Sequence, residues 1–140
     1  MELPPVPIAN IDAFLAVIGQ WNLYDMEVRG AHFNAAPADE PSLDLVLALP
    51  GDGAPVDAIA TISMEHEFVF RFSGIESVDL IGFGRQNVIG EYEFTGREPG
   101  PEGPGLLYVE IDGTVGGSMR CLCHHVSVVD VRERQRAGAV

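Results

Sequence analysis

Lysine is absent from this chain: all eight basic residues are arginines, and they face 21 Asp and Glu, giving a formal charge of −13. Affinity for nucleic acids comes largely from phosphate neutralisation by Lys and Arg, so a chain this acidic with no basic stripe is unsuited to direct DNA or RNA binding, or to an anionic membrane surface. A basic protein is the natural complement, although charge of this size also keeps a protein soluble. Cysteine is scarce as well. Cys121 and Cys123 are separated by one residue, a spacing that strains a disulfide and does not describe a secreted disulfide framework. Reduced thiols are expected. Long apolar runs are also missing. No window approaches the ~18 apolar residues of a membrane span, and Met1-Glu-Leu-Pro-Pro-Val-Pro7 has neither the basic nor the apolar region of a secretory signal. The expectation is a cytoplasmic protein.

What the sequence does contain is enough for a core. Its 140 residues are 46% hydrophobic, with seven Phe, three Tyr and one Trp, and a chain of this size folds as one domain that buries roughly two thirds of its unfolded surface. Asn10 to Gly19 reads as a short helix, with Asn10 as its cap, Asp12 at the positive end of the dipole, and Ile11, Phe14, Leu15 and Ile18 at helical spacing. From Leu23 to Val131 the period changes to two. Strands are expected at about Leu23 to Phe33, Ser42 to Leu49, Met64 to Ser73, Glu76 to Phe83, Gln86 to Thr95, Leu106 to Ile111 and Ser118 to Val131. Asp57 to Met64 does not choose between helix and strand. Gly96 to Gly105 is too rich in Gly and Pro for regular structure, and Arg132 to Val140 reads as a frayed tail. The expected fold is mainly β or α+β: an antiparallel sheet or sandwich of about seven strands with a short N-terminal helix, in a single domain spanning 1–140.

Three kinds of residue could carry chemistry. Cys121, Cys123 and His125, with His66 as a possible fourth group, offer soft ligands at i, i+2 and i+4 of one strand. A structural zinc site draws a second pair of ligands from elsewhere, and few remain here. Buried thiols beside a half-exposed histidine are the simpler reading. The carboxylate pairs Asp25 with Glu27, Glu65 with Glu67, Glu91 with Glu93, and Glu110 with Asp112 suit acid–base work in principle, yet on antiparallel strands such pairs are ordinarily the solvent half of an alternating pattern. Gly82-Phe-Gly84 lacks the following helix that a phosphate cradle needs. No catalytic residue and no cofactor is assigned. The alternatives to a binding function are a metal-binding protein or enzyme centred on Cys121, Cys123 and His125, and an acidic housekeeping binding domain.

Three segments, Trp21-Asn-Leu-Tyr-Asp-Met-Glu-Val28, Phe70 to Ile89 and Gly117-Ser-Met-Arg-Cys-Leu-Cys123, together resemble the immunity protein 50 family of bacterial polymorphic toxin systems. The resemblance runs from about Trp21 to Val131, and its most specific part holds Val78, Leu80, Gly82, Phe83, Gln86, Asn87 and Ile89. Trp21 and Asp25 belong to the first segment, where the family often has a His before the Asp and this chain has Tyr24. The resemblance implies a non-catalytic protein that binds and neutralises a cognate toxin, and a basic nuclease is the kind of toxin that would give the acidic charge a purpose. The bottom-up reading of Gly82, Phe83, Gln86 and Asn87 is structural: a turn or bulge whose backbone groups the Asn87 amide satisfies. The candidate toxin-binding residues are Glu65, Glu67, Glu91, Glu93, Glu110 and Asp112, whose strands, sharing one sheet, gather their carboxylates on one side. Ile89 is the apolar anchor expected on that outward face.

Overall fold

Ile11, Phe14, Leu15 and Ile18 recur at the 3.6-residue period, and α1 (Ile11–Ile18) buries Phe14 and Leu15 along that stripe. Gly19 ends it in the left-handed region, φ 90°, with its N–H donated to the Leu15 carbonyl at 2.8 Å. The opening of the helix departs from expectation. Asn10 is itself left-handed and makes no cap bond; its Nδ2 reaches the Val128 carbonyl at 3.3 Å, fastening the helix to the sheet.

The computed structural model describes residues 2–38, 40–49, 64–84, 87–97, 101 and 105–135. Within them the strands are β1 (Glu27–Asn34), β2 (Ser42–Leu49), β3 (Met64–Ser73), β4 (Ser77–Ile81), β5 (Ile89–Arg97), β6 (Leu106–Gly113), β7 (Ser118–Cys123) and β8 (His125–Gln135). The expected ambiguous piece 57–63, and most of the Gly-Pro segment, lie outside the described residues. The strands form two antiparallel sheets of four, in the orders β1-β2-β3-β8 and β4-β7-β6-β5. No described helix is long and apolar enough to cross a membrane.

The strand expected from Ser118 to Val131 is two strands in different sheets. β7 pairs with β4 and β6, the chain crosses at His124, and β8 pairs with β3. A two-residue period cannot register this crossing, because apolar residues alternate on both sides of it. β8 also extends past Val131: Arg132 to Gln135 pair with Glu67 to Met64, so that part of the expected tail is sheet.

The alternating apolar residues of the expected strands Ser42 to Leu49 and Met64 to Ser73 meet across the sheet. Leu43, Leu45 and Leu47 of β2 stand opposite Phe72, Phe70 and Phe68 of β3, and these oppose Val126, Val128 and Val131 of β8. Trp21 stacks edge-on against Phe94 of the second sheet at 5.0 Å and lies 6.3 Å from Phe70 of the first, while Phe14 sits 4.9 Å from Phe68. Helix, loop and both sheets thus share one aromatic cluster, each contact adding roughly 0.5–1.5 kcal/mol beyond area burial.

One inward residue was expected outside. β5 carries a bulge at Gly90, where the register steps from Ile89–Gly113 to Glu91–Asp112. The extra residue inverts the alternation, so Ile89 is not an outward anchor but a core residue, 1% exposed. Ile89→Ala is therefore expected to lower unfolding free energy by about 2–5 kcal/mol, measured by urea denaturation; a loss below about 1 kcal/mol would contradict this packing.

Candidate functional site

The outer face of the β4-β7-β6-β5 sheet is built by cross-strand rows. Glu93, Glu110, Arg120 and Asp79 form one row, and Glu91, Asp112, Ser118 and Ile81 form the next. Antiparallel partners point to the same side, so five carboxylates share this surface with Arg120, which bonds Glu110 at 3.0 Å. Glu110 also accepts from the Tyr108 hydroxyl at 2.8 Å. At the end of the second row Ile81 is 68% exposed, and so is Val115, in the β6–β7 turn at the same end.

Of the carboxylates expected to converge, Glu91, Glu93, Glu110 and Asp112 do so. Glu65 and Glu67 do not, because β3 lies in the other sheet. Glu67 is 2% exposed and receives a hydrogen bond from Arg132 at 3.1 Å, so it is a buried partner rather than a contact residue. The outer face of this first sheet is largely self-neutralised: Arg71 donates two hydrogen bonds to Asp44 at 2.7 and 2.9 Å, and Arg132 also approaches Asp130 at 3.6 Å. Strand assignment to one sheet or the other is a long-range property, and nothing in the local alternation of β3 announced it.

The residues that carry the family resemblance hold loops together. Trp21 is in the aromatic cluster. Asp25 adopts φ 67° and donates its N–H to the Ile89 carbonyl at 3.2 Å. Gly82, at φ 76°, lies against the Gly117 backbone, where a Cβ would come within 3.3 Å, and Phe83 packs on Gly117. Asn87 accepts from the Gly84 N–H at 2.7 Å and donates to the Gly84 and Val28 carbonyls at 2.8 and 3.3 Å, the turn-satisfying role read from sequence. Gln86 lies outside the described residues.

Cys121, Cys123, His125 and His66, the alternative metal set, do not come together, and the two thiols are buried as the simpler reading has it. Cys121 and Cys123 point from β7 into the core, whereas His125, past the crossing, is exposed on β8. His66 pairs with Glu133 at the far end of β3 from His125, which is opposite Ser73. Among the described residues no three potential ligands gather for a metal. The Cys123 side chain and burial push the Cys121 thiol up, away from nucleophilic use.

The residue that sequence reading passed over is His124. Its Nε2 faces the Glu76 carboxylate at 2.8 Å and its Nδ1 the Gly105 carbonyl at 2.7 Å. Both partners are acceptors, so the ring satisfies both only when both nitrogens carry hydrogen. Its backbone N–H bonds Ser73, and Glu76 N–H bonds the Leu122 carbonyl. The clasp joins both points where the chain crosses between the sheets. Its signal in the sequence was only a histidine inside one apparent strand, Ser118 to Val131.

Comparison with protein-family models, curated proteins and solved structures finds no match for this chain.

The Glu76 carboxylate, then the Gly105 carbonyl, raise the His124 pKa above the usual histidine range. A folded pKa above the unfolded one contributes stability that is complete below the unfolded value and is lost as pH rises through the folded value. Relative to His124→Gln, the protein is expected to hold its largest excess in Tm at mildly acidic pH with Glu76 still ionised, and to lose that excess towards alkaline pH. A difference that does not vary with pH would contradict the clasp.

Proposed function

We propose that this protein is an immunity protein that binds a basic toxin domain through the outer face of its β4-β7-β6-β5 sheet, without catalysis of its own, in the cytoplasm of the producing cell. The observation that carries this reading is the unequal treatment of charge on the two sheets. The first sheet answers Asp44, Glu67 and Asp130 with its own arginines. The second sets Glu93 opposite Glu110 and Glu91 opposite Asp112, with one arginine among them. Like charges directly opposite one another cost a sheet stability, by about 0.2–1 kcal/mol each. A basic partner relieves that cost on binding. The resemblance of the Trp21–Val28, Phe70–Ile89 and Gly117–Cys123 segments to immunity protein 50 supplies the class of partner.

The acidic rows serve the association rate, and apolar contacts set the dissociation rate. With Ile89 in the core, an apolar group available to this face is Ile81, which is exposed like Val115 of the β6–β7 turn at the same end. The test is co-expression with whatever toxin domain is encoded beside this gene. Co-expression of this protein is expected to restore growth to cells making that domain and to leave unrelated toxins unaffected. Arg at both Glu91 and Glu93 is expected to slow association about tenfold at low salt and to flatten its salt dependence. Ile81→Ala should mainly speed dissociation, by about tenfold. Failure of rescue with both proteins soluble, or association unchanged in the folded double variant, would refute the assignment or this face respectively.

A further inference from the structure

Before entering α1, residues 3–9 close one flank of the sandwich. Ala9 pairs in parallel with Ser127, through N–H bonds from Ala9 to Val126 O at 3.0 Å and from Val128 to Ala9 O at 2.9 Å. Val6 approaches β5 at Gly96, where a Cβ would stand 3.4 Å from Val6 Cγ1 and 2.8 Å from Leu107 Cδ2. Gly96 is thus the position that lets the segment come so close. Between this segment, the ends of β5 and β6 and the start of β8 remains an open groove of about 1210 Å³, with Leu3, Pro4, Val6, Ile8, Leu107 and Val126 among its apolar walls. That is on the scale of sites that take small molecules, roughly 300–1,000 Å³.

The charged groups of this groove are unlike the rest of the surface. Among the described residues it is lined by Arg97, His124 and His125, and by no carboxylate. Arg29, Arg71, Arg120 and Arg132 are all ion-paired. Arg97, exposed at the end of β5, is the one arginine with a described side chain that has no such partner. His124 is already engaged by Glu76 and Gly105, which leaves Arg97 as the uncompensated cation and the exposed His125 ring as a neighbouring hydrogen-bonding group. Arg97 is opposite Leu106 in the sheet, one residue from the Gly105 that holds His124, so these groups gather at one end of the groove.

We infer that the groove binds an amphiphilic monocarboxylate, an unbranched apolar chain lying along the exposed Leu3, Pro5 and Pro7, over the buried Val6 and Leu107, with its carboxylate on Arg97. Guanidinium and carboxylate match in a planar, two-bond geometry, and a charge-assisted bond at the edge of an apolar site is the stronger kind. The sign of the whole molecule sharpens the assignment. A net charge of −13 favours cationic amphiphiles everywhere else on the surface, so preference for an anion has to originate locally at Arg97. Arg97 stands on the same side of β5 as Glu91 and Glu93 but at the opposite end of the strand, where it borders the groove, and the inference does not rest on the toxin reading.

Titration calorimetry of the full chain with decanoate, decanol and decylammonium, below their aggregation concentrations, tests it, with amide chemical shifts to locate the site. Decanoate is expected to bind saturably, one molecule per chain, with shifts at Val6, Ile8, Gly96, Leu107 and Val126, and about tenfold more tightly than decylammonium. Arg97→Gln, an exposed substitution whose folding is checked by circular dichroism, should weaken decanoate about tenfold and leave decanol unchanged. Leu3→Asp, at an exposed wall position, should weaken both. Decylammonium binding as well as decanoate, an Arg97→Gln protein that binds decanoate normally, shifts outside the groove, or no saturable binding would each overturn the proposal.

Discussion

The burial of two apolar sheet faces around a single aromatic cluster is the constraint on which the rest of this molecule depends. Phe14 and Trp21 lie outside both sheets in sequence, yet they fill the space between Phe68 and Phe70 on one side and Phe94 on the other. Fully burying such side chains contributes about 1.5–3 kcal/mol each. Once the inner faces are committed in this way, function is left with outer faces, edges and the open flank. The thiols illustrate the point: Cys121 and Cys123 occupy inner positions of β7 and behave as core.

What the outer surfaces offer is then decided by where the few arginines fall. Arg71 and Arg132 neutralise the first sheet, and Arg120 is the lone cation within the acidic rows of the second. Arg97, at the end of β5, belongs to neither network and borders an apolar groove. With no lysine in the chain, each of these placements has a large effect on the local field. The His124 clasp adds a mechanical element, because Glu76 and Gly105 meet one ring at the place where β3 passes to β4 and β7 passes to β8.

Much of this was legible in the sequence, and the misses share a cause. The faces Leu43-Leu45-Leu47 and Phe68-Phe70-Phe72 are strict alternations, and each is buried as read. The short helix and its Gly19 stop follow from spacing and a permissive residue. Alternation fails where a strand gains a residue or changes sheet. The Gly90 bulge turned Ile89 inward, and an apolar residue flanked by Glu91 and Glu93 gave no local sign of it. The crossing at His124 split one apparent strand, since Cys121, Cys123, Val126 and Val128 are buried on both sides of it. Glu65 and Glu67 were grouped with the wrong strands because pairing partners are chosen by the whole core, not by the segment. Asn87, by contrast, was read correctly from the short-range chemistry of its side chain.

We propose that the two outer faces have different uses, the β1-β2-β3-β8 face stabilising and the β4-β7-β6-β5 face recognising a basic protein. Amide hydrogen exchange of the chain alone and bound to a basic toxin domain from whose toxicity it protects cells separates the two faces directly. The account predicts new protection in peptides covering Ser77–Ile81, Glu91–Glu93, Glu110–Asp112 and Ser118–Arg120, with Ser42–Val46 and Val69–Ser73 unchanged. Protection confined to those last two segments would contradict it.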